Sequence, residues 1–433
     1  TALGNMTVLS DGSNLSKAQS VQVTSDGNFA LDVPLSNVAK LTLAGTKDSG
    51  QFNSTAAIGS ANLDYDLAIT ASGLKAGLNL AGTIASGVNL SIDSSKVTGT
   101  QNFGETSALN VTLKSDGALE DITYGAINAK ATGSGAATIT ALANKKSLNL
   151  DTIGATTSFK TVNIDATGAA GTIVVKDIYA TEVVTLNFTN ASQGVTVGTG
   201  ITDVTAGRAV NFTAGQKALT IDTIVENSTT NSLFTGTLKG GAGDDRFNFK
   251  LANNESLAIT LTGDLVGGAD TISVDAQNLV GETKTLYAAL STLIGYKSSE
   301  ITGGIGADTI IGGVGDDTIQ GGNGNDSIVA GNGRDTIVGG KGNDTIRLAE
   351  LNADAAMDEL QYAESGADNA DRVTGFSFAA GTNDLIGFSI GNITGADGGD
   401  DTLVSMDGTD IAAAVSAGLF SAESVSVNTA LST

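Results

Sequence analysis

Residues 303–347 read GGIGADTII, GGVGDDTIQ, GGNGNDSIV, AGNGRDTIV and GGKGNDTIR, five nonapeptides in tandem without a gap. Glycine fills the first position four times, and the second and fourth positions every time. Asp holds the sixth position throughout (Asp308, Asp317, Asp326, Asp335, Asp344), and Ile holds the eighth (Ile310, Ile319, Ile328, Ile337, Ile346). Glycine at positions one, two and four permits a tight turn that aims carbonyl oxygens inward. Positions seven to nine form a short strand whose Ile points into the interior. Two nonapeptides therefore make one 18-residue coil with a turn on each side, and stacked coils bring Asp over Asp. Such carboxylates repel one another unless a hard cation lies between them. Ca²⁺ suits a flexible shell of carbonyls and carboxylates, whereas Mg²⁺ demands a rigid octahedron and keeps its water. A low-complexity Gly/Asp linker does not account for Ile at every eighth position.

The rest of the 433-residue chain sharpens this reading by exclusion. Lys plus Arg is 22 and Asp plus Glu is 46, a net charge of −24 with a pI near 4.1. A surface this acidic repels nucleic acid and anionic lipid and invites cations. There is no Cys, which excludes disulfides, thiolate metal sites and Cys nucleophiles, and no His, which excludes zinc-protease motifs and Ser-His-Asp triads. Trp is absent, aromatics are 4% and Pro34 is the lone proline, while Gly numbers 57. An apolar share of 40% is enough for a core, and no apolar run of about 18 residues marks a membrane-spanning helix. A chain that opens at Thr1, without a charged and then apolar leader, is expected to be a processed piece of something longer.

Residues 1–235 are Thr/Ser/Ala/Asn-rich with short period-two alternations such as Val21-Gln22-Val23 and Leu41-Thr42-Leu43. An apolar–Asn–apolar signature recurs at Asn79, Asn89, Asn110, Asn149, Asn163, Asn187 and Asn211, the last three spaced by 24 residues, one coil of a solenoid. Two readings remain open: a parallel β-solenoid, or a pair of β-sandwiches with Asn on the wet face. Residues 236–302 form a transition, with a glycine-rich turn and strand at 240–248 and a shortened copy at 267–272. Within it, Leu286, Leu290, Leu293 and Ile294 have helix-like spacing over 285–297. The expected fold class is all-β: a β-solenoid or β-rich region over 1–235, the transition, a calcium-binding parallel β-roll over 303–347, and a C-terminal cap over 348–433.

The nonapeptide array resembles the repeats-in-toxin (RTX) family, whose parallel β-roll binds calcium. The resemblance implies sites that combine carbonyls of positions two and four of one turn and its Asp with carbonyls of positions one and three, and the Asp, one coil later. One site then comprises Gly304, Gly306, Asp308, Gly321, Asn323 and Asp326. A second comprises Gly313, Gly315, Asp317, Ala330, Asn332 and Asp335. A third comprises Gly322, Gly324, Asp326, Gly339, Lys341 and Asp344. Ala330 and Lys341 depart from the pattern in side chain only, and Asp326 serves two ions. Asp245 and Asp270 are further candidate ligands in the degenerate turns. The preceding frame, 294–302, carries Ser299 where Asp belongs, so about three ions are expected in the tandem array. Residues 371–376 and 381–386 resemble the segment that caps RTX rolls and read as strand, turn, strand. Residues 411–433, with Glu423 as their only charge, resemble an uncleaved type I secretion signal; an amphipathic end-cap is the other reading.

Without His, the protease and lipase forms of RTX proteins are excluded, and residues 1–235 lack the long apolar helices of pore formers. A polysaccharide-modifying β-helix would have to use Asp and Tyr alone, and Tyr65, Tyr124 and Tyr179 stand isolated in the sequence. The chain is instead similar to bacterial surface-layer proteins of the RTX type, known from Campylobacter and Caulobacter. That resemblance implies a secreted, non-enzymatic protein at the cell surface whose partner is itself, in a calcium-dependent lattice. It also implies an anchor to lipopolysaccharide through a region outside this chain. An RTX adhesin or biofilm protein is the alternative, although no near-identical long domains repeat here. Asp264, Asp270, Asp397, Asp400 and Asp401 are candidate carboxylates for calcium bridges between chains.

Overall fold

The computed structural model describes residues 6–10, 19–388 and 404–406, apart from breaks at 47–49, 63, 117–118, 143–144, 198–203, 207–208, 227–231, 252–255, 266–267, 281, 349–355, 363–370 and 376–383. Every regular element among the described residues is a β-strand. The chain divides into two compact units, one of residues 1–225 with 239–246 and one of residues 226–238 with 247–433.

The first unit is a parallel β-solenoid, which excludes the pair of sandwiches. One wall runs from Ser20–Ser25 through Lys40–Gly45, Leu67–Ser72, Asn89–Lys96 and Asn110–Lys114 to Ser134–Thr140, Phe159–Asp165, Ile178–Asn187 and Ala209–Thr213, every pairing parallel. A second wall starts at Phe29–Ala30 and Gln51–Ser54 and continues through Gly77–Leu80 and Thr100–Phe103. A short third wall closes the middle coils with Ile58–Ser60, Ile84–Ser86, Thr106–Ala108 and Ile127–Ala129. Parallel pairing stacks like residues in register. Val21, Leu41, Ile69, Ile92, Leu113 and Ile139 form one buried column along the axis.

Aromatic residues stack in the same way: Phe103 lies flat on Tyr124 with centroids 4.5 Å apart. Tyr124 is therefore a core residue, its hydroxyl held neutral by burial, and not part of a surface cleft. On the outward face the Asn signature builds amide ladders. Asn102 Nδ2 donates to Asn79 Oδ1 at 3.0 Å, and Asn110 Nδ2 donates to Asn89 Oδ1 at 2.8 Å. The 24-residue spacing of Asn163, Asn187 and Asn211 is not a coil length. Asn163 pairs with Thr185, 22 residues on, and Thr185 pairs with Asn211, 26 residues further. Asn187 shares the face two residues along and pairs with Asp165 and Thr213. Coil length varies because the turns absorb insertions while the strand register is kept.

The second unit has two parallel walls around the Ile positions. One contains Leu257–Asp264, Leu286–Ile294, Thr309–Gly313, Ser327–Gly331, Thr345–Arg347 and Arg372–Thr374. The other contains Thr271–Asp275, Ser298–Thr302, Thr318–Asn323, Thr336–Lys341, Glu359–Tyr362 and Leu385–Phe388. Ile310, Ile328 and Ile346 stack on one side and Ile319 and Ile337 on the other, at an 18-residue repeat. The segment with helix-like spacing forms the strand Leu286–Ile294. Its pairing slips by one residue, Thr260 with Ala289 but Thr262 with Thr292. Leu286, Ala288 and Ala289 are buried before this bulge, Leu290 within it and Leu293 after it, so a strand with one extra residue imitates helical spacing. The two capping segments near 371 and 385 do form strands, but on opposite walls. Residues 411–433 lie outside the described residues.

Because Phe103 fills the core against Tyr124, Phe103→Ala is expected to cost about 3–5 kcal/mol in urea-induced unfolding followed by circular dichroism.

Candidate metal centre

The turns of the second unit stack so closely that the second and fourth positions exclude any side chain. Gly322 has φ +112°, and a Cβ there would lie 2.2 Å from Gly304 O. Gly324 has φ +122°, and a Cβ there would lie 2.4 Å from Gly306 O. Carbonyls of one turn thus face the next turn directly. First-position carbonyls point the other way: a Cβ on Gly303 would meet Gly321 O at 2.1 Å, one on Gly312 would meet Ala330 O at 2.0 Å, and one on Gly321 would meet Gly339 O at 2.4 Å. Some of these oxygens already accept one backbone amide. Asn323 N donates to Gly304 O at 3.0 Å, Asn332 N to Gly313 O at 2.8 Å, and Gly324 N to Lys341 O at 2.7 Å. A carbonyl has two lone pairs, so each keeps one for another partner.

The sixth-position carboxylates form two columns. Asp308 N donates to Asp326 Oδ1 at 2.8 Å, and Asp326 N donates to Asp344 Oδ1 at 2.8 Å. On the other side Asp317 N donates to Asp335 Oδ1 at 2.9 Å. The five carboxylates are buried, and Asp326 Oδ2 has no hydrogen-bond partner. Asp308 differs, because Leu286 N and Gly304 N occupy its two oxygens at 2.7 and 2.6 Å. Burial pushes Asp326 up to about 7, with the like charges of Asp308, Asp344 and Asp371 adding to it against the hydrogen bond from Asp308 N. Asp317 is likewise pushed up to about 7 by burial, and Asp308 is raised for the same reason against its two amides. A buried anionic oxygen without a donor is costly, and either a proton or a cation relieves it. Among the described residues no three acidic side chains converge on one point. A cation between two turns would therefore be held by two carboxylates and several carbonyls, the hard all-oxygen set that calcium favours. The residues present fit that ion.

The columns run further than the ideal repeats. Asp335 N donates to Asp358 Oδ1 at 2.9 Å, Asp358 N to Asp384 Oδ1 at 3.1 Å, and Asp344 N to Asp371 Oδ1 at 2.9 Å. The nonapeptide pattern misses these three as site residues because no glycine stands two or four residues before them, and the spacing of Asp358, Asp371 and Asp384 from the preceding Asp of the column is 23, 27 and 26 residues instead of 18. The surviving signal is Asp, any residue, apolar residue: Asp358-Glu359-Leu360, Asp371-Arg372-Val373 and Asp384-Leu385-Ile386. The degenerate turns are arranged differently. Asp245 is buried with Leu219 N on Oδ1 at 2.7 Å and Gly241 N on Oδ2 at 3.2 Å, the two-amide pattern of Asp308. Asp270 is also buried, and Lys297 N of the next coil donates to its main-chain carbonyl at 2.9 Å. At 0% exposure Asp270 cannot bridge to another chain, which corrects that expectation; Asp264 is exposed. Asp397, Asp400 and Asp401 lie outside the described residues.

The family described as RTX calcium-binding nonapeptide repeat (4 copies) matches residues 302–337 and 311–346. No curated protein and no solved structure matches the chain. Among the described residues each unit is thus an all-β parallel solenoid, and the second carries RTX calcium-binding repeats. RTX nonapeptide repeats bind calcium, and proteins that carry them are typically secreted.

The raised carboxylates set a pH dependence. Folded calcium-free turns hold protons on Asp317 and Asp326 up to about pH 7, whereas the unfolded chain releases them near 4. Between those values the folded state binds more protons, so its stability falls as pH rises. Calcium must displace the same protons, so its affinity should rise with pH, roughly tenfold per unit for each proton displaced. Circular dichroism without calcium should show more β-signal at pH 5 than at pH 8, and calorimetry should show tighter calcium binding at pH 8 than at pH 6. Identical titrations at both pH values would contradict this coupling.

Proposed function

We propose that this chain is a structural protein of the bacterial cell surface, secreted unfolded from a calcium-poor cytoplasm and ordered by calcium outside. The observation that carries the proposal is the pair of buried Asp columns, above all Asp326 with an oxygen that no donor satisfies. In this reading Gly304, Gly306, Asp308, Gly321, Asn323 and Asp326 hold one ion. Gly313, Gly315, Asp317, Ala330, Asn332 and Asp335 hold a second, and Gly322, Gly324, Asp326, Gly339, Lys341 and Asp344 a third. The ion supplies positive charge between stacked carboxylates and so couples metal binding to folding of the roll. The function is read as non-enzymatic, since a chain with no His and no Cys has no imidazole or thiol for catalysis, and no other catalytic constellation offers itself among the described residues.

Assembly follows from charge. At −24, identical subunits repel at any contact that lacks counter-ions. The repulsion reaches about 8 Å at physiological ionic strength. Calcium both neutralises the roll and bridges exposed carboxylates such as Asp264, so lateral contact between copies becomes favourable. The product is a surface layer, anchored to lipopolysaccharide by a region outside this chain.

Electron microscopy of purified protein in calcium should show ordered sheets, and NaCl at matched ionic strength should not, because it screens without bridging. Isolated rods in calcium would favour the adhesin reading, and sheets in NaCl alone would overturn calcium as the assembly switch. Asp326→Ala is expected to lower calcium stoichiometry in titration calorimetry by more than Asp308→Ala, whose two oxygens are already occupied by amides. Equal losses would mean that Asp326 is not shared between two ions.

A further inference from the structure

The column that contains Asp317 and Asp335 begins one coil before the first ideal repeat of that side. By spacing, a slot lies between the frame 294–302 and the turn 312–317. A side chain fills that slot. Tyr296 is buried at 4% exposure, and its hydroxyl donates to Asp317 Oδ2 at 3.3 Å and accepts from Val314 N at 3.1 Å. Its ring takes the space over the two turn glycines. A Cβ on Gly313 would lie 2.1 Å from the Tyr296 hydroxyl oxygen, and one on Gly315 would lie 2.6 Å from Cε2. One coil later a Cβ on Gly331 or Gly333 would instead meet the carbonyl oxygen of Gly313 or Gly315, each at 2.4 Å. The second slot is thus faced by carbonyls where the first is faced by a phenol. The upper turn also lacks its carboxylate, because Ser299 stands at the Asp position and offers its backbone N to Asp317 Oδ1 at 3.0 Å.

We infer that Tyr296 is a covalently attached stand-in for a cation, which closes the first slot of this column so that calcium uptake starts one slot later, between Asp317 and Asp335. The inference rests on the calcium reading given above. A phenol can donate to the carboxylate and accept from the turn amide at once, so both groups are satisfied without metal. It follows that Asp317 is a ligand to one ion at most, unlike Asp326. It also follows that the coil containing Ser299 and Val314 is held together before calcium arrives and offers the next turn an ordered edge to add to. Propagation from a formed repeat costs less than starting anew, since each coil is stabilised by its neighbour.

The test combines stoichiometry with hydrogen exchange on the full chain. Titration calorimetry with CaCl₂ should give the same number of ions for wild type and Tyr296→Phe, because the ring still fills the slot. The double variant Tyr296→Asn/Ser299→Asp, which empties the slot and restores its carboxylate, should bind one ion more. In calcium-free protein the Val314 amide should exchange about five- to tenfold faster in Tyr296→Phe than in wild type, the effect of one lost hydrogen bond. If wild type binds no calcium, the calcium reading falls and this inference with it. If wild type binds calcium but a folded double variant binds no additional ion, only the role given to Tyr296 is wrong. Should the double variant not fold, unchanged Val314 exchange in Tyr296→Phe overturns the inference and faster exchange upholds it.

Discussion

Parallel strands in register, one coil above another at about 4.8 Å, put every side chain next to its own equivalent. This constraint decides what each position can be. Apolar over apolar is favourable without further help, and the column from Val21 to Ile139 is built on it. Amide over amide is favourable as well, because Asn both donates and accepts, as in the pairs Asn79–Asn102 and Asn89–Asn110. Carboxylate over carboxylate is not, since an ionised Asp has no donor to offer its neighbour.

The two units meet this constraint with different chemistry. The first does not stack like charges in these ladders: Asp93 pairs with Lys114, and Asp165 lies between Thr140 and Asn187. The second places Asp308, Asp326 and Asp344 in one column and Asp317 and Asp335 in another. Backbone amides take one oxygen of each lower Asp, and the remaining negative charge is left to protons or cations. At the first Asp of each column hydrogen bonds from the protein meet part of the demand, from Leu286 N and Gly304 N at Asp308 and from the Tyr296 hydroxyl and Ser299 N at Asp317. The same stacking that would make the roll unstable as a bare polyanion thereby makes it responsive to calcium.

Much of this was legible along the chain. The nonapeptides give the coil length, the inward Ile and the Asp columns, because all three follow from residues within nine positions of one another. The absence of His and Cys limits the available chemistry through composition alone. Where the reading failed, the cause was a local irregularity that only pairing reveals. The bulge in Leu286–Ile294 shifts the buried face by one residue and so reads as a helix. The even spacing of Asn163, Asn187 and Asn211 hides coils of unequal length.

The sequence by itself determined that this is a β-rich, acidic chain with a calcium-type repeat, since those properties depend on composition and short periods. Tertiary structure alone decided that residues near the N-terminus wind as a solenoid instead of facing sheets, because strand partners lie about 20 or more residues away and are chosen by register. It alone extended the Asp columns to Asp358, Asp371 and Asp384, where the nonapeptide spacing no longer holds. It alone placed the ring of Tyr296 over Gly313 and Gly315, for a side chain at one turn is aimed at a glycine pair a full coil away, and no pattern within either turn records that contact.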